Sequence, residues 1–266
     1  MRCALLSLGV LLVACGTPRI RAFDALAVPG EEVLLVARLE RDGLPGFSPD
    51  FVGEDLRMTL AGVTEISSRT GDEGTAVFPV RAPDRTGDFF YSVRGGRGLD
   101  PGLLRLCVRD PGAPLLLVDI DGTITPSGAL RVVRGEDEPM PGAAAVLRRL
   151  ARDRTVVYLT ARDDFMLGTT RDFLARGRFP PGPLLLRDFT LATLPAGRHK
   201  TAVLGDLRTR FTGPWTGIGD TVGDAEAYLS AGAEALILTD EPASLPPGAR
   251  AVRDWAEIRE RLVNPR

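Results

Sequence analysis

Two aspartates follow an apolar run near the middle of the chain. Asp119 and Asp121 begin the sequence DIDGT, directly after the residues LLLV. Two carboxylates spaced i, i+2 at a strand end point in similar directions. Their mutual repulsion destabilises the ionised pair unless a cation lies between them. Gly122 allows a sharp turn, and Thr123 can tie down the loop by hydrogen bonding. The pattern predicts an acidic, cation-dependent site, with a plain Asp-Gly turn as the alternative.

A second polar feature follows the next predicted strand. Thr160 ends the apolar run at 156–159 and is followed by Ala161, Arg162 and a predicted helix that begins near Asp164. A hydroxyl and free backbone N–H groups at a helix N-terminus form an anion site. A threonine at this place is often only a helix cap. Arg162 is a candidate contact to an anion, with a surface salt bridge as the alternative.

The third and fourth features come later in the chain. Lys200 is the only lysine, and the remaining basic residues apart from His199 are arginines. An ammonium on a flexible stem fits a tight anionic site better than a guanidinium does. The alternative is that Lys200 lies on a solvent-exposed helix and has no functional role. In the run GDTVGD at 219–224, Asp220 can reach a metal directly. Asp224 acts from behind the metal ligands or orients Lys200.

Strands and helices must alternate to position these residues. After a breaker at 110–114, such an alternation predicts a Rossmann-like, doubly wound parallel sheet over residues 113–266. Ligands of such sheets bind at the carboxyl ends of the strands. The predicted strands are 115–119, 155–160, 184–186, 215–219 and 235–238, and the predicted helices are 141–152, 164–176, 201–211, 224–232 and 253–262.

Short strand-like runs separated by turn residues fill the segment 22–110. None of them has an apolar stripe at helical spacing, and the residues between the runs are mostly Gly, Pro, Asp and Ser. Several short strands at regular spacing predict a small immunoglobulin-like β-sandwich. The predicted strands are 32–39, 56–60, 75–80, 89–93 and 103–108.

The first residues resemble a bacterial lipoprotein signal peptide. The apolar run at 4–13 is too short to span a bilayer and leads into LVACG, which resembles a lipobox. The resemblance implies a signal peptide over 1–14, a lipid anchor on Cys15 and a tether over 15–21. The protein would then be anchored in the bacterial cell envelope, and Gly16 after the cysteine favours the outer membrane. A plain signal peptide that contains a cysteine is the alternative.

The four polar features, in their order, resemble the signature of the haloacid dehalogenase (HAD) superfamily. The signature consists of DxDGT, a strand-terminal threonine, a lysine and GDxxxD, and it covers about 115–240. The resemblance implies a HAD fold without a large cap. Only about 40 residues separate Asp119 from Thr160, and about 40 separate Thr160 from Lys200, so a folded cap domain has no room in either interval.

Within the HAD superfamily, different parts of the sequence resemble two different families of phosphatidate phosphatase. The runs DIDGTIT and YLTAR, which contain Asp119 and Thr160, look like the catalytic domain of the lipins. The later runs RDF, HK and GD…D…Y look more like the actin-patch-associated phosphatidate phosphatases. Both families hydrolyse phosphatidate to diacylglycerol, and lipins also carry an immunoglobulin-like β-domain. The chain departs from each: lipins usually have Asn where Asp220 stands, and the actin-patch family usually has an acid where Gly122 stands.

The HAD resemblance implies roles for individual residues. Mg²⁺ would be bound by the carboxylates of Asp119 and Asp220 and the main-chain carbonyl of Asp121. Asp119 would attack phosphorus and form an aspartyl-phosphate, and Asp121 would act as acid and then base. Thr160 and Lys200 would hold the phosphoryl oxygens. Further substrate contacts would come from flanking residues, namely Gly122, Thr123, Ala161 and Arg162.

An uncapped site can take a large substrate, such as a lipid head group at a membrane or a phosphorylated macromolecule. The resemblance to the two families implies phosphatidate or a related phospholipid. A phosphatase of small, soluble phosphate esters is one alternative, and a non-catalytic, lipid-binding HAD-like module is another. The net charge of -2 provides no basic field and excludes a broad electrostatic surface for nucleic acid. No protein partner follows from the sequence.

Overall fold

A computed structural model describes residues 17–41, 51–60, 64–96, 98–126, 137–187 and 196–264. The chain divides into two units, one up to Val108 and one from Arg109 onward. Cys15 lies outside the described residues, so its lipidation stays a prediction; Asp188 and Phe189 of the RDF run also lie outside them. No helix among the described residues is both long and apolar enough to cross a membrane.

The described part of the first unit is built from strands and one short 3₁₀ turn. The strands are β1 (Pro18–Ala22), β2 (Ala25–Ala27), β3 (Glu32–Arg41), β4 (Asp55–Leu60), β5 (Thr64–Arg69), β6 (Thr75–Arg81), β7 (Gly87–Arg94) and β8 (Gly102–Val108). They form one sheet of order β1-β3-β6 and another of order β2-β8-β7-β4-β5. Side chains from both sheets, such as Leu35, Phe78, Met58 and Leu106, share one buried core. The immunoglobulin-like assignment stays a prediction.

The first strand lies where a tether was expected. Residues 18–21 belong to β1, which pairs antiparallel with β3 from Pro18 to Ala22. Ile20 and Ala22 of β1 are buried and alternate with Arg19 and Arg21. Two apolar residues that alternate with arginines are a weak sequence signal for a strand. Whether such a segment forms a strand depends mainly on the neighbouring strand with which it pairs.

The second unit contains a parallel sheet, which confirms the predicted mixed α/β class. Its strands are β9 (Leu115–Val118), β10 (Thr155–Asp163), β11 (Leu184–Arg187), β12 (Trp215–Gly219), β13 (Glu234–Leu238) and β14 (Arg250–Val252). The order is β11-β10-β9-β12-β13-β14, and every adjacent pair is parallel. The direction of winding reverses between β9 and β12. Such a reversal is where doubly wound sheets bind their ligands.

In the described part of the chain, four helices connect successive strands up to β13, and a fifth follows β14. They are α1 (Ala143–Leu150), α2 (Leu167–Arg176), α3 (Ala196–Arg210), α4 (Val222–Ser230) and α5 (Trp255–Leu262). Every residue of β9 and of β12 is buried, as expected for parallel strands covered on both faces. Gly217 in β12 lets α4 lie close: a Cβ there would lie 2.3 Å from the ring of Tyr228. This close packing holds α4 against the face of β12, and only Asp220 and Thr221 separate the end of the strand from the start of the helix.

The structure corrects the expected surroundings of Thr160. The strand does not end there: β10 continues to Asp163, and a 3₁₀ turn at Asp164–Met166 precedes α2. Thr160 therefore neither caps a helix nor lies at a helix N-terminus. The pairing of β10 with β11 changes register between Leu159 and Asp163, so the strand is prolonged past an irregularity. The last strand, β14, was also not predicted, since it has only three residues.

Candidate active site

A cavity of about 290 Å³ lies at the ends of β9 and β12, beside Thr160 and Ala161 in the last part of β10. The second turn of α3 and the first turn of α4 complete its wall. It is lined by Asp119, Asp121, Gly122, Thr160, Ala161, Lys200, Asp220, Thr221, Gly223 and Asp224. Among the predicted site residues, Thr123 and Arg162 are not in the wall. Thr221 and Gly223 were not predicted, although both belong to the GDTVGD run.

The only lysine of the chain lies between two carboxylates. Lys200 Nζ is 2.8 Å from Asp119 Oδ1 and 2.5 Å from Asp224 Oδ1, and the residue is 3% exposed. Burial opposes the charge of the ammonium, but Asp119 and Asp224 raise the pKa of Lys200 above its ordinary value. Lys200 is therefore a fixed positive charge at the cavity, as the amino-acid composition indicated.

Three carboxylates lie close enough together to bind one cation. Oxygens of Asp119, Asp220 and Asp224 lie within 4.8 Å of one another. Both oxygens of Asp224 are already engaged: Oδ1 contacts Lys200, and Oδ2 accepts bonds of 2.8 Å from the Thr221 hydroxyl and 3.1 Å from the Thr221 N–H. Thr221 in return caps α4 by accepting from the Asp224 N–H. Asp119 and Asp220 are therefore the better placed cation ligands, with Asp224 behind them.

The charges of the site suit a divalent cation. Burial raises the pKa of Asp119 to about 7, against the opposing effect of Lys200. Burial likewise raises the pKa of Asp220 to about 6, and the charge of Asp224 adds to this shift. Once ionised, the three carboxylates exceed the one ammonium by two negative charges. Oxygen ligands with this excess charge fit Mg²⁺, which binds one or two carboxylates and keeps several waters.

Mg²⁺ is expected to stabilise the second unit in a pH-dependent way. Because the pKa values of Asp119 and Asp220 are raised to about 7 and about 6, their protonated forms favour the folded state, and this contribution is lost as the pH rises through those values. Mg²⁺ binds the carboxylate forms, so it stabilises more at about pH 8 than at about pH 5.5. With saturating Mg²⁺, we expect the unfolding midpoint to rise by roughly 5–10 °C at the higher pH.

The matched control for this melting experiment is Asp220→Ala. It removes one cavity-facing carboxylate and leaves no amide oxygen that could replace it as a ligand. We expect the variant to lose most of the midpoint shift at about pH 8. Equal shifts at both pH values, or an undiminished shift in the variant, would mean that Mg²⁺ binds elsewhere.

The DIDGT loop is fixed against the metal ligands by short contacts. Gly122 has a φ of 74°, and a Cβ at this position would lie 1.9 Å from Asp220 Oδ2. The Thr123 hydroxyl donates to Asp220 Oδ1 at 3.3 Å, and the Thr123 carbonyl accepts from Trp255 Nε1 at 2.9 Å. Thr123 thus holds the loop and Asp220 in place from outside the cavity.

The predicted proton donor is held by the predicted anion contact. Arg162 donates from Nε to Asp121 Oδ2 at 2.8 Å and from Nη2 to Asp121 Oδ1 at 2.9 Å. Its Nη1 donates to the Thr170 hydroxyl at 3.1 Å. Arg162 was expected to contact a bound anion or to form a surface salt bridge. It does neither, because it is buried and does not line the cavity. Thr160 does line the cavity, and its hydroxyl accepts from the Arg162 N–H at 3.2 Å.

Comparison with known sequences finds a family model that matches within the second unit and a yeast protein with partial similarity to the chain. Residues 116–235 match the family model described as PITM 1-3, LNS2 domain. The phosphatidic acid phosphohydrolase 1 of Saccharomyces cerevisiae is 29% identical to this chain over 176 residues. That alignment covers 54% of this chain and 20% of the yeast protein, so the chain spans about a fifth of the length of this relative. The range 116–235 contains all ten cavity-lining residues.

Comparison with solved structures gives more distant similarities. A Mesorhizobium loti protein, described as a HAD-like phosphatase, has 20% sequence identity and a TM-score of 0.49. The match covers 67% of this chain and 93% of that one. A chain from the Pnkp1/Rnl/Hen1 complex has 19% identity and a TM-score of 0.37, over 41% of this chain and 39% of that one.

Proposed function

We propose that the second unit is an Mg²⁺-dependent phosphomonoester hydrolase of the HAD type, which acts through an aspartyl-phosphate on Asp119. The observation that carries the proposal is the position of Asp119 at the end of β9, 2.8 Å from Lys200 and next to Asp220. Asp121 lines the same cavity. Similarity to an LNS2 domain and to a yeast phosphatidic acid phosphohydrolase supports the same chemistry.

In the first step, the carboxylate of Asp119 attacks the phosphorus atom of the ester. The bond between phosphorus and the ester oxygen breaks, and the leaving oxygen takes a proton from Asp121. Lys200 Nζ and the Thr160 hydroxyl donate hydrogen bonds to phosphoryl oxygens. Asp119, Asp220 and the main-chain carbonyl of Asp121 would hold Mg²⁺, which would supply positive charge beside those oxygens.

In the second step, water hydrolyses the aspartyl-phosphate. Asp121, now a carboxylate, accepts a proton from the water molecule as its oxygen attacks phosphorus. The bond between phosphorus and the Asp119 oxygen breaks, and inorganic phosphate leaves. Asp119 is again a carboxylate and Asp121 is again protonated, so the site is ready for another turnover.

Phosphatidate or a related phospholipid is the proposed substrate. The cavity of about 290 Å³ accommodates a phosphoryl group and a small organic part of the ester, while the acyl chains of a phospholipid must lie outside it. Among the described residues, only α1 lies between β9 and β10, and only a 3₁₀ turn, α2 and β11 lie between β10 and α3. The absence of a further helix or strand from the described parts of these two intervals is compatible with a head group presented by a membrane. The name of the yeast relative points to the same substrate.

A phosphatase of soluble esters is the second candidate. The cavity wall contains no apolar side chain larger than that of Ala161. Acyl chains therefore make no contact inside the cavity, and the wall itself does not distinguish a lipid ester from a small one. A non-catalytic lipid-binding module is the third candidate, although binding alone has no use for Asp121.

Phosphate release from two esters separates these candidates. The full chain is assayed with phosphatidate in mixed micelles and with glycerol phosphate, each with Mg²⁺ and with EDTA. We expect release to require Mg²⁺, and kcat/KM to be at least about tenfold higher for phosphatidate. The opposite preference supports the soluble-ester phosphatase. Binding to phosphatidate vesicles without phosphate release from either ester would overturn the hydrolase proposal.

A further inference from the structure

A buried arginine forms a fork against the carboxylate assigned as proton donor. The Arg162 side chain is 1% exposed, whereas the Asp121 side chain is 31% exposed. The two bonds from Arg162 are parallel and charge-assisted, a geometry that fixes the plane of a carboxylate. The partly exposed Asp121 would otherwise be free to turn toward solvent. Arg162 thus restricts the orientation of Asp121 at the edge of the cavity.

The path of β10 explains how Arg162 reaches Asp121. The pairing of β10 with β11 changes register between Leu159 and Asp163. Irregularities of this kind next to active sites re-aim side chains. Here the irregular segment presents Thr160 and Ala161 to the cavity, while the Arg162 side chain lies outside its wall and contacts Asp121.

The other contacts of Arg162 leave little freedom for a direct role at a phosphate. Nη1 donates to Thr170 Oγ1, and the guanidinium carbon lies 5.9 Å from the centre of the Phe173 ring. Nε, Nη1 and Nη2 each donate within the protein. A buried ion pair is weak evidence for stability, since apolar replacements are often equally stable. A positioning role accounts better for this pair.

We propose that Arg162 is a positioning residue, which orients Asp121 for proton transfer to the leaving group. The inference rests on the proposed function and assigns Arg162 no contact with the substrate. The proton passes from Asp121 to the leaving oxygen, and Arg162 keeps its own protons. Positioning of the acid matters most when the leaving group is a poor one. An alkoxide needs this proton to depart, whereas a nitrophenolate does not.

The first test compares two substrates in Arg162→Met. For glycerol phosphate, we expect kcat/KM to fall about 10²-fold, with most of the loss in kcat. For p-nitrophenyl phosphate, the fall in kcat/KM should be less than about tenfold. Arg162→Lys, which keeps the charge but loses the fork, should lie between the wild type and Arg162→Met on glycerol phosphate. A rise in KM of similar size for both substrates would instead make Arg162 a phosphate contact and overturn the inference.

The second test asks whether Arg162 acts through Asp121. In an Asp121→Asn background, adding Arg162→Met should change the residual rate on glycerol phosphate less than about twofold, because the acid to be positioned is gone. Full additivity of the two effects would overturn the inference. Thr170→Val is the matched control, since it removes the other side-chain partner of Arg162 and leaves the fork; its activity should stay within about threefold of wild type.

Melting curves of each variant separate a loss of folding from a loss of rate. Equal losses on the two substrates in a folded Arg162→Met would indicate a merely structural role and would also reject the inference. Failure of the wild type on every ester, by contrast, would reject the proposed function itself.

Discussion

An Asp119→Asn variant is expected to lose kcat by about 10⁴-fold or more while keeping the fold of the second unit. The amide cannot form the acyl phosphate through which the ester bond is split. The change is nearly isosteric, and β9 stays buried on both faces. Phosphate release under saturating Mg²⁺ measures the loss. Activity within tenfold of wild type would place the nucleophile elsewhere.

The same variant, Asp119→Asn, is expected to lose activity without losing stability. Burial raises the pKa of Asp119 to about 7, so the ionised carboxylate costs folding free energy at higher pH. Asn carries no such cost, and Lys200 keeps its 2.5 Å contact with Asp224. Without metal at about pH 8, the unfolding midpoint should therefore equal or exceed that of wild type. An exposed aspartate on α2, Asp172, provides the control, since Asp172→Asn should change neither activity nor midpoint.

Replacing Lys200 is expected to damage both activity and stability. Lys200→Met leaves Asp119 and Asp224 buried without their ammonium, a defect that typically costs about 3–5 kcal/mol. The midpoint should fall by roughly 6–20 °C without metal, and Mg²⁺ should restore part of the loss by supplying positive charge. Activity should fall at least about 10²-fold, as when one donor to a developing charge is removed.

Lys200→Arg separates charge from shape. The guanidinium keeps the positive charge, so stability should exceed that of Lys200→Met. Its planar fork cannot reproduce the position of a compact ammonium between Asp119 and Asp224, so kcat should stay well below wild type. Parallel melts and phosphate-release assays measure both quantities. Wild-type activity in Lys200→Arg would mean that charge alone is sufficient and that the single lysine is incidental.

The sequence was most informative where chemistry coincides with a strand end. The apolar runs before Asp119 and Asp220 predict buried parallel strands, and the carboxyl ends of such strands meet at one edge. The convergence of Asp119 and Asp220 on one cavity follows from this rule, whereas Lys200 reaches the cavity from the second turn of α3. Asp224 was expected to act from behind the metal or to orient Lys200; it contacts Lys200, and the first of these roles stays a prediction.

The surroundings of Thr160 and Arg162 were not accessible from the sequence. The continuation of β10 to Asp163 depends on pairing with β11, and its register shift has no local sequence signal. The contact between Arg162 and Asp121 joins residues 41 positions apart. A motif specifies which residue types are present, but tertiary packing decides whether an arginine faces the substrate or a neighbouring carboxylate.

The bond from Trp255 to the Thr123 carbonyl joins residues 132 positions apart. On the ribosome, the DIDGT loop emerges long before α5 has been synthesised, and until then this carbonyl has no indole to hold it. The loop that carries the candidate nucleophile therefore gains this restraint only after translation has passed Trp255. In a nascent chain, or one clipped before α5, the loop keeps its contact with Asp220 but lacks the bond from Trp255, so phosphate release is expected to be slower even though every cavity-lining residue is already present.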